Sequence, residues 1–290
     1  MKKLIILLLI LPLGVFAQDK GLINLSYSYT KLKSADTSKN VKTLDSYLTL
    51  PLLQNDHSQL FGTIAYRKVW LDNFGNDYPS QVYGTSVRMA YQINLNENRQ
   101  LRIFAQLGIY SDYKNVSSND WRYTTGLEYI MQKPGDYRFG FGIAYAKQFY
   151  GNQIIPLIEF DKQLSERWKI DGIFPVNPKL EYKINNRSST GIELNIDVNT
   201  YRFNSANNEE QYLKTSGYNF SFLYIYKIFK NWSINAKVGA SARQQFGIYN
   251  QSDNSTWTLI AIPLGKSAEP IETFKNSALT GQIGLAYGFR

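Results

Sequence analysis

The side chains that could carry out catalysis are few, because the chain has one histidine and no cysteine. The histidine, His57, stands in "QNDHSQL", which is predicted to be a turn between two strands. A nucleophilic catalytic unit needs an imidazole beside its partner, and zinc sites are usually built on imidazole or thiolate ligands. The sequence therefore predicts no enzyme active site, no metal site and no cofactor.

The other residues that could do chemistry are charged side chains on the polar side of alternating stretches. A charge on the lipid-facing side of a membrane strand costs about 2–4 kcal/mol at the middle of the bilayer. If the stretches cross a membrane, we expect these side chains to face the lumen, where they either fill the interior with ion pairs or line a path for a solute. The predicted lumen lining consists of Arg88, Arg102, Glu128, Arg138, Glu193, Asp197, Lys237 and Arg243.

The elements that position these charges are predicted to be β-strands. Apolar and polar residues alternate in "NLSYSYT", "YRFGFGIAYAK" and "GIELNIDVN", and a period of two is typical of a strand. Many of the alternating stretches exceed the usual 5–6 residues of a soluble strand and match the length of a tilted strand that crosses a bilayer. The aromatic content of 15% and the mean hydropathy of -0.33 also favour a membrane barrel, whose strands face lipid on one side and the lumen on the other.

The predicted fold class is all-β, a single transmembrane antiparallel barrel of about fourteen strands. Twelve strands are the alternative, because Pro156, Pro175 and Pro178 interrupt the eighth to tenth stretches and proline cannot donate to a strand ladder. The fourteen strands are predicted near 21–33, 42–53, 58–71, 80–94, 99–112, 119–132, 137–150, 153–163, 166–174, 178–185, 189–202, 212–228, 231–247 and 276–289.

The connections differ in length in a regular way. Those after even-numbered strands are short, and every long one follows an odd-numbered strand, including 203–211 and 248–275. Outer-membrane barrels have short periplasmic turns and long external loops. The parity therefore predicts that both ends of the barrel chain lie on the periplasmic side.

The N-terminal stretch "MKKLIILLLILPLGVFA" has the two lysines, apolar segment and small-residue site of a cleaved signal peptide. Residues 1–17 are thus predicted to be removed and 18–290 to form the barrel, as a multi-pass protein in the outer membrane of a Gram-negative cell, with outer-membrane lipid as its surroundings. The formal charge is +9 without a run of five basic residues, so no nucleic-acid partner is expected. The oligomeric state stays open.

The last residues, "ALTGQIGLAYGFR", resemble the C-terminal β-signal of outer-membrane proteins. The matching positions are Gln282, Gly284, Tyr287 and Phe289, and Arg290 departs from the usual terminal aromatic. The resemblance implies that the barrel-assembly machinery engages this strand. An unpaired edge strand that templates strand addition fits such a role.

The chain from residue 18 onward also resembles an uncharacterised family of outer-membrane β-barrels, known as a domain of unknown function. The likeness lies in "LTLPLLQNDHSQLFGTIAYR", in "IIPLIEFDKQLSERWKIDGIFPVNPKLEYKIN" and in "GLAYGF". It implies the barrel fold and no particular activity.

The leading functional hypothesis is a non-enzymatic, porin-like barrel, with a narrow channel for small solutes. It would favour anions modestly, because arginines outnumber acids in the predicted lining. One alternative is a structural or surface-binding barrel that acts through the loops at 203–211 and 248–275. The other is a barrel hydrolase, which the position of the single histidine disfavours.

Overall fold

A computed structural model describes residues 21–33, 38–133, 137–204, 210–251, 255–265 and 267–288. The predicted signal peptide lies outside these residues, as do Phe289 and Arg290 of the C-terminal motif.

The described chain is almost entirely β-strand. One turn of 3₁₀-helix, Ser118–Asp120, precedes the sixth strand, and no described helix is long and apolar enough to cross a membrane. In chain order the strands are β1 (Gly21–Leu32), β2 (Lys39–Gln54), β3 (Ser58–Asp72), β4 (Gln81–Asn96), β5 (Arg99–Ser111), β6 (Trp121–Lys133), β7 (Tyr137–Gln148), β8 (Gly151–Gln163), β9 (Trp168–Phe174), β10 (Lys179–Lys183), β11 (Ser188–Asn204), β12 (Glu210–Phe229), β13 (Trp232–Asn250), β14 (Thr256–Leu259), β15 (Ile262–Pro263) and β16 (Glu272–Gly288).

Fourteen of these strands, β1 to β13 and β16, form a closed antiparallel barrel. The ring closes because β16 pairs with β13 on one edge and with β1 on the other. The predicted all-β barrel of fourteen strands is confirmed, and the twelve-stranded alternative is wrong. The long loops lie at one end of the barrel, which we call the outer end.

The strand alternation sorts side chains between lipid and lumen. On β1, Leu25 and Tyr27 are 48% and 41% exposed, whereas Ser26 between them is 6% exposed. Large apolar side chains on the outward face of a membrane barrel contact lipid rather than water. The exposed Leu25 and Tyr27 therefore fit the lipid-facing band of a membrane-type barrel.

The wall is incomplete at β9 and β10, which are shorter than predicted. On β8, the ladder with β9 covers only Ile158–Gln163. It stops there because Pro175 follows the last residue of β9 and Pro178 precedes the first residue of β10. The outer part of β8, Gly151–Ile154, pairs instead with β14 in a parallel ladder. The predicted loop at 248–275 thus contains a short hairpin, β14–β15, and the last strand begins at Glu272 rather than at residue 276.

The outer end of β11, still paired with β12 as far as Asn204, turns inward and crosses to β5. Arg202 of β11 is the bridge partner of Ser111 on β5, in parallel orientation, and its carbonyl accepts a hydrogen bond of 3.1 Å from the backbone N–H of Asp112. In the fourteen-stranded ring, β5 and β11 stand on opposite walls. The crossing divides the outer half of the lumen into two compartments.

Candidate functional site: the barrel lumen

A main cavity of about 610 Å³ lies in the larger compartment, and a side cavity of about 240 Å³ lies against β5 to β8. The main cavity is lined by β1 to β5, β11 to β13, β16 and the turn between β9 and β10. Fifteen of its 33 lining residues are serine, threonine, asparagine or glutamine, and five more are charged. The two cavities share residues of β11, including Asp197 and Asn199. The lumen therefore has a polar interior of the size of a small solute.

Two ion-pair groups stand in the main cavity. Arg67 of β3 donates from Nε to Asp45 Oδ1 at 2.5 Å and reaches Asp197 of β11 at 3.4 Å, which links two walls. Lys237 Nζ lies 2.7 Å from Glu193 Oε2. These five side chains are the charged residues that line the cavity.

A separate network of charges is buried in β5 to β8, toward the end of the barrel opposite the outer end. Arg102 Nη1 donates to Glu128 Oε2 at 2.9 Å and to Glu159 Oε2 at 2.8 Å, and Arg138 pairs with the same Glu159. Arg88 lies over the Phe104 ring at 4.3 Å. Since the side chains of the paired residues are at most 10% exposed, the network fills the barrel and lines no open path.

Seven of the eight residues predicted to line the lumen lie on its inner side. Three of them (Glu193, Asp197 and Lys237) line the main cavity, and the other four (Arg88, Arg102, Glu128 and Arg138) belong to the packed network or border it.

The prediction that Arg243 faces the lumen is wrong, because its side chain faces outward. It is the rung partner of Tyr218, an outward residue of β12, and Ala242 and Arg243 form a bulge in the pairing of β13 with β16. A bulge inserts an extra residue and shifts the alternation by one. Gln244 takes the inward position, where it lines the main cavity. The predicted anion preference thus loses its basis, since none of the four predicted arginines lines the main cavity.

Sequence reasoning missed several lumen residues. Asp45 and Arg67 follow the inward alternation of β2 and β3 and could have been found by extending it. Glu159 lies on β8, where the nearby Pro156 weakened the strand prediction.

An apolar cluster lies at the outer end of the barrel and shares Phe246 with the lining of the main cavity. Phe74 and Tyr78, in the loop between β3 and β4, are 4% and 5% exposed and pack on apolar side chains of the strand ends. The Phe74 ring centroid lies 4.9 Å from that of Phe246 on β13, four strands along the ring from β3, and 5.8 Å from that of Phe274. We call Phe74 and Tyr78 the outer plug, because they span the mouth from β3 to β13.

Local geometry holds the plug in place. Asn73 and Gly75 have positive φ values of 64° and 100°, a conformation that asparagine and glycine adopt more readily than other residues, and they turn Phe74 into the barrel. The Tyr78 hydroxyl donates to the Phe246 carbonyl at 3.3 Å. Burial, aided by the nearby Glu272, raises the pKa of the Tyr78 phenol above its ordinary value, so the hydroxyl keeps its proton and this hydrogen bond to a higher pH than an exposed tyrosine would.

A polar clamp closes the mouth beside the plug. Arg202 donates to Asp120 Oδ1 at 2.5 Å and to the Asn115 carbonyl at 2.8 Å, and so ties β11 to the loop before β6. Asp120 itself forms a capping box with Ser117. Plug and clamp thus lie side by side at the outer end of the described lumen.

His57 lies in the turn between β2 and β3, where it is exposed and its backbone N–H donates to Asn55. Within the part of the chain that the structure describes, no group of three histidine, aspartate or glutamate side chains could hold a metal ion. The lumen, rather than this turn, is therefore the candidate functional site.

The C-terminal motif lies on the closing strand. Gln282 lines the main cavity, Gly284 pairs with Ser26 and Asn235, and the Tyr287 ring packs on Trp232 at 5.0 Å. Phe289 lies outside the described residues. Recognition of this motif by the assembly machinery stays a prediction.

If that prediction is right, Tyr287→Ala combined with Phe289→Ala should lower the amount of barrel in the outer membrane several-fold and leave precursor for periplasmic proteases. The closing strand would lose the aromatic side chains through which it is engaged, and Tyr287 its contact with Trp232. Immunoblots of membrane fractions measure the effect. Arg290 deletion is the matched control and should be tolerated, and normal levels of the double variant would contradict the assignment.

Comparisons with known proteins identify a family and several similar solved structures. A family model described as a domain of unknown function (DUF6268) matches residues 59–258, and no curated protein matches the chain. Solved structures that are similar include an outer-membrane channel, COG4313, of Pseudomonas putida F1 (12% identity, 96% of this chain and 100% of that chain covered, TM-score 0.45). A FadL homologue of Pseudomonas aeruginosa (10% identity, 94% and 91%, TM-score 0.46) and the NanC porin (9% identity, 92% and 100%, TM-score 0.41) are also similar.

Proposed function

Because the chain belongs to the DUF6268 family, a domain of unknown function, we propose a function from its own lumen: an outer-membrane channel for small polar solutes, closed at rest by the outer plug. The observation that carries this proposal is the main cavity of about 610 Å³ directly beneath Phe74 and Tyr78. A barrel that served only as a scaffold would not need a polar cavity of this size. Barrels of eight strands are filled by their own side chains, whereas sixteen to eighteen strands leave an aqueous channel.

The charges of the cavity give the channel a preference for cations. Arg67 and Lys237 supply two positive charges, and Asp45, Glu193 and Asp197 supply three negative ones. A cavity with a net negative lining concentrates cations in a low-dielectric surrounding. The preference is modest, because four of the five charges are within 3 Å of a partner.

The reversal potential in a KCl gradient tests this function. Planar bilayers that contain the protein with the plug removed (Phe74→Ala with Tyr78→Ala) should show small ohmic steps that reverse on the cation side. Lys237→Gln should increase the cation preference, because it leaves Glu193 without its partner at 2.7 Å. Glu193→Gln removes the opposite charge of the same pair and should decrease it.

Lys237→Gln and Glu193→Gln are matched controls, because they remove opposite charges from the same ion pair. Correct folding is checked by heat-modifiable migration on a gel. Folded barrels that stay silent with the plug removed would contradict the channel, and anion-selective steps would contradict the role of the cavity charges.

A further inference from the structure

A third cavity, of about 440 Å³, lies outside the ring of strands. It is enclosed between the outward face of β12 and β13 and the segment that carries the β14–β15 hairpin, and we call it the outer-wall pocket. The stacked rings of Tyr212 and Tyr249, with centroids 5.1 Å apart, form one side of it. Ile262 and Pro263 of β15 form the other side.

The outer-wall pocket exists because the barrel wall is incomplete at β9 and β10. The short β9 and β10 leave space above them, which the β14–β15 hairpin occupies. β14 is bonded to β8 over Gly151–Ile154, but β15 pairs with no strand other than β14 among the described residues. The pocket therefore lies beside a free strand edge, and Ile262, which is 61% exposed, lies at its border with the surroundings of the barrel.

Two cationic side chains line this pocket. Lys214 Nζ lies 4.3 Å from the centroid of the Tyr150 ring, and Arg243 is exposed on the rung that it shares with Tyr218. Within the described residues, neither cation forms an ion pair with a carboxylate of the protein. Cations on the outward face of a membrane barrel are costly unless they lie near the headgroups.

The position of Arg243 along the membrane normal agrees with the level of the lipid headgroups. Arg243 stands eleven residues after Trp232 along β13, and Trp232 lies at the periplasmic end, where indole rings favour the interface. A rise of about 3.3 Å per residue and a tilt of about 40° place Arg243 roughly 28 Å higher. This distance is close to the roughly 25 Å height of the apolar band, so Arg243 lies at the outer headgroup level.

We propose that the outer-wall pocket binds the anionic headgroup of an outer-leaflet lipid. Lys214 and Arg243 bind the anionic headgroup through charge-assisted hydrogen bonds. The acyl chains lie along the outward side chains of β12 below the pocket, where Phe220 and Phe222 are 46% and 64% exposed. This site is independent of the lumen and would exist whether or not the barrel conducts.

Lipid retention by the purified full-length protein tests the proposal. Native mass spectrometry in detergent would compare phosphatidylglycerol with phosphatidylcholine of the same acyl chains. We expect a retained phosphatidylglycerol that phosphatidylcholine does not replace. Lys214→Gln with Arg243→Gln should weaken this retention about tenfold or more, since each charged hydrogen bond contributes substantially to binding.

The control is Lys31→Gln, because Lys31 is an exposed lysine of β1 outside the pocket and its removal should leave retention unchanged. Lys214→Arg with Arg243→Lys keeps both charges and should retain the lipid, which separates charge from folding. Equal retention of the two lipids, or equal retention by wild type and the Gln variants, would overturn the proposal. Full displacement of phosphatidylglycerol by inorganic phosphate would also overturn it, because the site would then bind a free anion.

Discussion

Removal of the outer plug should open the barrel. In planar bilayers, Phe74→Ala with Tyr78→Ala should raise the fraction of time in conducting states about a hundredfold over wild type. Burial of a large aromatic side chain contributes about 1.5–3 kcal/mol, and 1.4 kcal/mol is a factor of ten in an equilibrium. The two rings are almost fully buried at the mouth, so their loss weakens the docking of the loop while the strand ladder stays intact.

Tyr113→Ala is the matched control for this experiment. Tyr113 also lies in an outer loop, but it is 37% exposed and stacks on Tyr83 rather than in the plug. Its removal should leave the opening frequency at the wild-type value. If the double variant opens as rarely as wild type while its barrel is folded, the plug does not close the channel.

Disruption of the buried ion network should produce the largest loss of stability. Arg102→Gln removes the cation that Glu128 and Glu159 share at 2.9 and 2.8 Å. Breaking a buried ion pair by removing one partner costs about 3–5 kcal/mol, because the other charge is left uncompensated. Urea unfolding of the reconstituted protein, followed by tryptophan fluorescence or gel migration, measures the change.

Arg99→Gln is the control on the same strand. Arg99 is the exposed first residue of β5, and surface substitutions usually change stability by less than about 0.5 kcal/mol. An Arg102 variant that unfolds at the same urea concentration as Arg99→Gln would show that the network adds nothing to stability.

The strand ring and its two faces could be predicted from sequence, because both depend on local periodicity. Each strand alternates with a period of two, and lipid on one side makes the polar face of the alternation the inner face. The inward positions of Arg102 and Glu193 follow from this rule alone.

The plug and the position of Arg243 could not be predicted, because both depend on contacts or pairings far apart in the chain. Phe74 is packed against Phe246 of β13, which lies far away in the chain, and no local pattern in the loop indicates that contact. The bulge before Gln244 is visible in the pairing of β13 with β16. The sequence of β13 alone does not reveal it, and a regular alternation of β13 places Arg243 on the wrong face. The β14–β15 hairpin was missed because it fills a gap that exists only when β9 and β10 are short.

The proposed channel requires that the outer plug separate the polar main cavity from the outside. Since the chain has no cysteine, Ser28→Cys introduces a single thiol into the main cavity. The measurement is the rate at which a small, membrane-impermeant cationic thiol reagent modifies this cysteine when added to intact cells. We expect slow modification with the native plug and fast modification when Phe74→Ala and Tyr78→Ala are added. Equal rates in the two backgrounds would show that the plug does not separate the cavity from the outside.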